Sequence, residues 1–340
     1  MFKRFSYHLI TLAGLLSLAL AACAQVAAPA ATATAAVPAA TSAASVQPAG
    51  AVTLKLAILP ILDALPMYVA QQKGYFAAKG VQVQFIPVSS AAERDQIMAA
   101  GQADGMINDL ISTLFYNKDK VQIQVLRFAR TATPQFPQYR ILASAKSGIT
   151  TVAGLKGVPI GISEASVIAY TTDRLLKAEG LKPDEIKTVA VPKMPDRMSL
   201  LASGELKAAN LPDPLSDLAI QQGAVVIVDD TRHPEYGNSV ISFRKTVIDG
   251  HPEAIRAFLA AVDQATTEIN ANPSQWTNLL TEQKLVPASL VGSYKLPTFP
   301  GNNIPTEAQW NDVLAWTKEK GLVSVDVSYK DSVNPGFLPK

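Results

Sequence analysis

The chain has one cysteine, Cys23, and three histidines in 340 residues. A single thiol forms no internal disulfide, and one cysteine with a few scattered histidines offers none of the close Cys/His spacing of a structural zinc site. The histidines, His8, His233 and His251, stand well apart in sequence. Neither sign of charge is in excess: 30 Lys and Arg face 28 Asp and Glu, a net of +2. No basic run stands out, so nothing points to a nucleic-acid partner. There is no Walker A motif, and "GLKGVPIG" lacks the glycine spacing of a dinucleotide-binding turn.

What is present begins at the N-terminus. Lys3 and Arg4 precede an uncharged run from Leu9 to Leu20. A basic start, a short apolar core and small residues after it make an export signal. The run falls short of the roughly 20 apolar residues that span a bilayer. Leu20-Ala21-Ala22-Cys23 resembles a bacterial lipobox, in which residues 1–22 are cut away and the cysteine is acylated. Two or three acyl chains hold a protein at a membrane surface. Loss of Lys3 and Arg4 with the leader makes the mature chain formally neutral, and acylation of Cys23 leaves it without a thiol. Residues 23–51 then read as an anchor and linker: after Cys23 they hold no charge and no aromatic, so they bury no core. Such a tether reaches on the order of 30 Å.

The remaining body alternates. "VTLKLAIL" is β-rich, Pro66 suits the first turn of a helix ending near Gly74, and "VQVQFIPV" has the period of a strand. Ser90 and Glu93 form a capping box, "GMIN" is a short strand, "DLISTLFYN" a helix and "VQIQVLRFA" a strand. The scheme returns in "GVPIGIS", "IKTVAVP", "LKAANLP" and "AVVIVDD", with helices between; Ser163 or Ser166 caps one and Asp196 another. Strands alternating with helices imply parallel βαβ units and an α/β fold. "RDQIMAAGQAD" and "RMSLLASGELK" align without gaps at an offset of 103, placing Arg94 on Arg197 and Gly101 on Gly204. That repeat suggests two similar lobes. In "HPEAIRAFLAAVDQATTEINANP" (251–273), Ile255, Phe258, Leu259, Val262 and Ala265 make one apolar helix face.

"LPMYVAQQKGYFAAKGVQVQFIPV", "IMAAGQADGMIND", "LLASGELKAANLPDP" and "HPEAIRAFLAAVDQATTEINANP" together resemble the NMT1/THI5-like solute-binding proteins, over nearly all of residues 52–320. The resemblance implies a type II periplasmic-binding-protein fold with the ligand in a cleft between two lobes. It implies lobes of 52–143 with 243–340, and 144–242, joined by crossovers near 140–146 and 239–245. The helical segment 251–273 is expected on the first lobe. It also implies a monomeric receptor that binds a small molecule without a cofactor and docks on an ABC permease. The biosynthetic enzymes of the same family use a histidine with a cysteine-rich segment, which this chain lacks.

In open α/β sheets, ligands bind beyond the carboxyl ends of the strands, where helix N-termini offer free N–H groups. The turns there supply the candidates Asp63, Ser89, Asn108, Asp109, Glu164, Ser166, Asn210 and Asp213. Tyr68, Tyr139 and Tyr170 are candidates for stacking on a ring, and Arg130 with Tyr139 lies in the Pro-rich stretch before the first crossover. Acids and amides outnumber bases in this set. Carboxylates repel an anion, so the expected ligand is a neutral or cationic heterocycle. The chain looks most like the riboflavin receptors of the family, with an aminopyrimidine precursor of thiamine as the second expectation.

Overall fold

Two five-stranded sheets are built from ten strands: β1 (Val52–Ile58), β2 (Val81–Pro87), β3 (Gly105–Asn108), β4 (Ile123–Thr131), β5 (Tyr139–Ala143), β6 (Pro159–Ile162), β7 (Lys187–Ala190), β8 (Ala208–Pro212), β9 (Val225–Asp229) and β10 (Asn238–Arg244). The computed structural model describes residues 51–340; the leader, Cys23 and the linker up to residue 50 lie outside the described residues. One sheet has the order β2-β1-β3-β10-β4 and the other β7-β6-β8-β5-β9. In the first, β1 runs parallel to β2 and β3, and β10 is antiparallel to β3 and β4. In the second, β6 runs parallel to β7 and β8, and β5 is antiparallel to β8 and β9. The two lobes therefore share one topology, as the 103-residue repeat suggests.

The crossings differ from expectation. The chain leaves the first sheet at Thr131 and enters the second at Tyr139; it returns between Asp229 and Asn238. β5 thus belongs to the second lobe and β10 to the first, so the expected boundaries at 143 and 243 and both crossovers are placed too late. "YRILA" and "NSVISFR" are largely buried strands with a partner on each side, and their ladders satisfy backbone groups that an irregular crossing would leave bare. Asp196 is also not a cap: the helix Met194–Ser203 starts two residues earlier, with Lys193 at its N-cap.

The helix Pro252–Ala271 buries Ile255, Phe258, Leu259, Val262 and Ala265 in the first lobe, where Phe258 stacks on Phe76 with centroids 5.3 Å apart. Gly105 makes room for Phe243 across the β3–β10 pair; a Cβ there would come within 2.6 Å of the ring. The helix Glu307–Glu319, opened by a Thr306/Gln309 capping box, lays Trp310 and Trp316 against Leu110 and Leu114.

The two crossings are pinned to each other. Asp230 accepts hydrogen bonds from the backbone N–H of Gln138 (2.8 Å) and of Tyr139 (3.1 Å), and Ala132 N–H donates to Gly237 O (2.7 Å). This close approach requires glycine at 237: a Cβ would stand 1.9 Å from Asp230 Oδ2 and 2.9 Å from the Ala132 Cβ. Gly237→Ala is expected to lower stability by about 1–3 kcal/mol, the usual cost of overpacking. Gly250→Ala, whose Cβ would meet nothing within 4 Å, is the control and should stay within about 0.5 kcal/mol. Urea unfolding of both variants checks this; equal stability of the two would contradict the packed crossing.

Candidate functional site

The carboxyl ends of the parallel strands in both sheets face one another, and four helices start there: Ala91–Ala99, Leu110–Asn117, Val167–Ala178 and Met194–Ser203. Between them lies a cavity of about 60 Å³. The first lobe lines it with Asp63, Ser90, Arg94, Asn108, Asp109 and Ser239; the second with Tyr139, Ser163, Ser166, Met194 and Arg197.

Much of this polar lining is spent on the fold. Ser90 accepts from Glu93 N–H, Asp109 from Ser112 N–H, and Ser166 from Ile168 N–H, so each caps a helix. Ser166 also donates to Ser163 O. Asn108 donates to Thr113 Oγ1 and accepts from Ser242 Oγ at 2.7 Å, fixing the end of β3 to β10. Asp63 accepts from Ser239 Oγ at 2.5 Å and from Gln138 Nε2 at 3.1 Å.

The charges follow a pattern. Asp63 lies 3.8 Å from Arg130, and Asp109 lies 3.5 Å from Arg94. Burial raises the pKa of both carboxyls, with the paired arginine pulling the other way. Burial opposes the charge of Arg94, but Asp95 and Asp109 hold its pKa above the ordinary value. Arg197 stands apart. It is 1% exposed, its Nη1 donates to Val191 O at 2.9 Å, and its Nε has no hydrogen-bond partner. Burial alone pushes its pKa down to about 10, so it remains a cation at neutral pH.

Of the sequence candidates, the cavity gathers Asp63, Asn108, Asp109, Tyr139 and Ser166. The others lie elsewhere. Tyr68 packs edge-on against Phe85, and Tyr170 packs against Trp316 while its hydroxyl donates to Asp312. Ser89 donates to the Glu93 carboxylate. Asn210 is buried and donates to Ile168 O, Thr171 and Thr172, clamping the second-lobe helix. Glu164 lines a separate groove of about 560 Å³ at the rim, with Gln96 and Tyr116 opposite. Arg130 and Asp213 pair at 2.6 Å and line another groove of about 460 Å³ with Arg140, Asp217 and Tyr294. The acid-rich cleft is corrected too: its carboxylates are consumed by arginines. Sequence reasoning passed over Arg94 and Arg197 as site residues, although their match at offset 103 was visible. They occupy equivalent helices of the two lobes and line one cavity from both sides.

Two lobes of one topology, joined by two crossings, with a polar cavity at facing strand ends, define a two-lobed α/β fold of the periplasmic-binding-protein type. The chain belongs to the NMT1/THI5-like family, whose profile matches residues 62–276. It is similar to the riboflavin-binding protein RibY of Chloroflexus aurantiacus, 25% identical over 313 residues, covering 85% of this chain and 86% of that one. It is also 24% identical over 221 residues to a putative thiamine biosynthesis protein of Haemophilus influenzae, covering 63% and 67%. Among solved structures, the alkanesulfonate-binding protein SsuA from Xanthomonas axonopodis pv. citri superposes with a TM-score of 0.69 at 16% identity, covering 83% of this chain and 98% of that one; this shows the shared fold. Among the described residues no helix is long and apolar enough to cross a membrane.

Asp230, at the crossings, has its pKa pushed up to about 7 by burial, against its two backbone donors. A folded-state value above the unfolded one means that the folded chain holds the extra proton between the two. Stability should therefore fall as pH rises from about 4 to about 7 and level off above. Asp63 and Asp109 act in the same direction. Asp230→Asn should remove part of that slope in a pH series of urea melts; wild-type stability rising across the window would contradict it.

Proposed function

We propose that this chain is the extracytoplasmic receptor of an ABC importer, anchored through lipid on Cys23, and that it captures riboflavin and hands it to the membrane permease. The observation that carries the receptor reading is the convergence of both lobes' strand ends and helix N-termini on one buried cavity. Riboflavin is favoured by the likeness to RibY along most of both chains.

A cavity of about 60 Å³ holds a few waters, whereas a pocket for a drug-sized ligand needs roughly 300–1,000 Å³. A flavin therefore enters with the lobes parted, by hinge motion at residues 132–138 and 230–237, and the lobes then close on it. Tyr139 is the aromatic at hand for its ring, and Asp63, Asn108, Asp109 and Ser166 are the polar groups nearest to it. One chain makes the whole site, in keeping with a monomer. No bond in the ligand is made or broken. An aminopyrimidine precursor of thiamine is the second reading, favoured by the smallness of the closed cavity and by the Haemophilus relative.

A thermal-shift and calorimetric screen tests the choice. Riboflavin at about 100 times its Kd should add about 2.7 kcal/mol of stability. A shift with an aminopyrimidine and none with riboflavin would replace the first reading by the second. For the anchor, Cys23→Ser should move the protein from the membrane fraction to the soluble fraction with ligand binding unchanged; a Cys23→Ser chain that stays with the membrane would overturn lipidation.

A further inference from the structure

We propose that the cleft is a site of two parts for a ligand of two ends: a flat ring is held in the cavity, and a hydroxyl-bearing chain leaves between the lobes and lies in the rim groove beside Glu164. This rests on the flavin reading of the cleft and deepens it, since the ring and the ribityl chain of riboflavin each receive a place.

The cavity and the groove of about 560 Å³ are neighbours. Ala91 lines both, and the same two elements pass from one to the other. On the helix Ala91–Ala99, Arg94 lines the cavity and Asp95 the groove. On the turn after β6, Ser163 and Ser166 line the cavity, and Glu164 and Ala165 the groove. Ala165 holds φ at 50°, in the left-handed region that residues other than glycine rarely adopt. Such outliers cluster at ligand clamps, where the surrounding structure fixes them. Here the turn divides its side chains between the two spaces.

The chemistry of the two spaces differs. In the cavity most polar groups are spent on caps and pairs: Ser90, Asn108, Asp109 and Asp63 are all engaged within the chain. Leu59, Ile61, Ile107, Ile168 and Met194 make apolar walls. Such walls suit the face of a ring, with Arg197 Nε open to an acceptor on its edge. They offer little to a chain of hydroxyls, and a hydroxyl buried without a partner is costly. The groove offers what the cavity lacks. The Glu164 carboxylate and the Gln96 amide are exposed there, each without a partner among the described residues. Arg244 also lines the groove, and its Nη2 is buried without a hydrogen-bond partner. Carboxylate, amide and guanidinium supply both acceptors and donors for hydroxyls. Ala92, Ala99 and Phe115 give the carbon atoms of the chain an apolar bed. Closure then has only the ring to enclose, and the chain stays in the groove. An aminopyrimidine, which has no such chain, would leave the groove empty.

The test is calorimetry on the Cys23→Ser chain with two probes, riboflavin and lumiflavin, which has the same ring with a methyl group in place of the ribityl chain. Riboflavin is expected to bind roughly tenfold more tightly, the worth of one or two hydrogen bonds. Gln96→Trp fills the groove, and Glu164→Ala with Gln96→Ala strips its free groups. Each should weaken riboflavin roughly tenfold and lumiflavin by less than about twofold. Riboflavin still saturates these variants at higher concentration, because the cavity keeps the ring. Melting curves without ligand read the folding of each variant apart from its binding. Lumiflavin binding as tightly as riboflavin overturns the two-part site and leaves the flavin receptor standing. So does riboflavin affinity unchanged in both variants, or an equal loss for the two probes. Absence of binding by either probe overturns this inference together with the choice of flavin.

Discussion

One buried guanidinium holds the two lobes together at the floor of the cleft. Arg130 stands at the end of β4, in the first lobe, and reaches Asp213 beyond β8 in the second at 2.6 Å. It also faces Asp63 from the turn after β1, and Tyr294, from the C-terminal part of the chain, donates its hydroxyl to the same Asp213. Gln138, in the first crossing, adds hydrogen bonds to Asp63 and Ser239. Removing one member of such a buried pair typically costs about 3–5 kcal/mol, because the remaining charge is stranded without water. The pairing has a second consequence. It neutralises the acids that would otherwise give the cleft a negative field, and so leaves Arg197 as the unmatched charge lining the cavity.

A second tie between the lobes is of a different kind. Asp312, on the C-terminal helix Glu307–Glu319, accepts from Tyr170 and Arg174 on the second-lobe helix, and Lys320 and Lys177 meet Asp173 and Glu319. Asp312 and Glu319 are 41% and 46% exposed, so water can replace the Lys177–Glu319 contact at little cost, about 0–1 kcal/mol, while the partners Tyr170 and Asp173 are buried and hold more firmly. The buried pair at the floor and the pinned crossings fit a pivot, and the exposed Lys177–Glu319 pair fits a contact that breaks and re-forms as the lobes move.

Strands and helices were legible because their signals are local. Period-two alternation marked β2, Ser90 and Glu93 marked a helix start, and the offset between Arg94 and Arg197 announced two lobes of one design. The crossings were misplaced by several residues because a short segment such as "YRILA" carries no mark of which sheet will pair with it. Candidate residues named from strand ends, such as Asp63, Asn108, Asp109 and Ser166, do face the cavity. Those chosen for ring chemistry fared worse: Tyr68 and Tyr170 serve packing against Phe85 and Trp316. The charge of the cleft could not be read by counting acids, since pairing depends on contacts such as Arg130 with Asp213, 83 residues apart.

Capture by closure is the central claim, and a distance across the cleft tests it most directly. Spin labels at Gln96→Cys and Glu164→Cys, on the Cys23→Ser chain, would sit on opposite lobes at the rim groove. The account predicts a broad distribution reaching long distances without ligand, and a narrower, shorter one when the calorimetric ligand saturates. A ligand that saturates the protein while the distribution stays unchanged would contradict it.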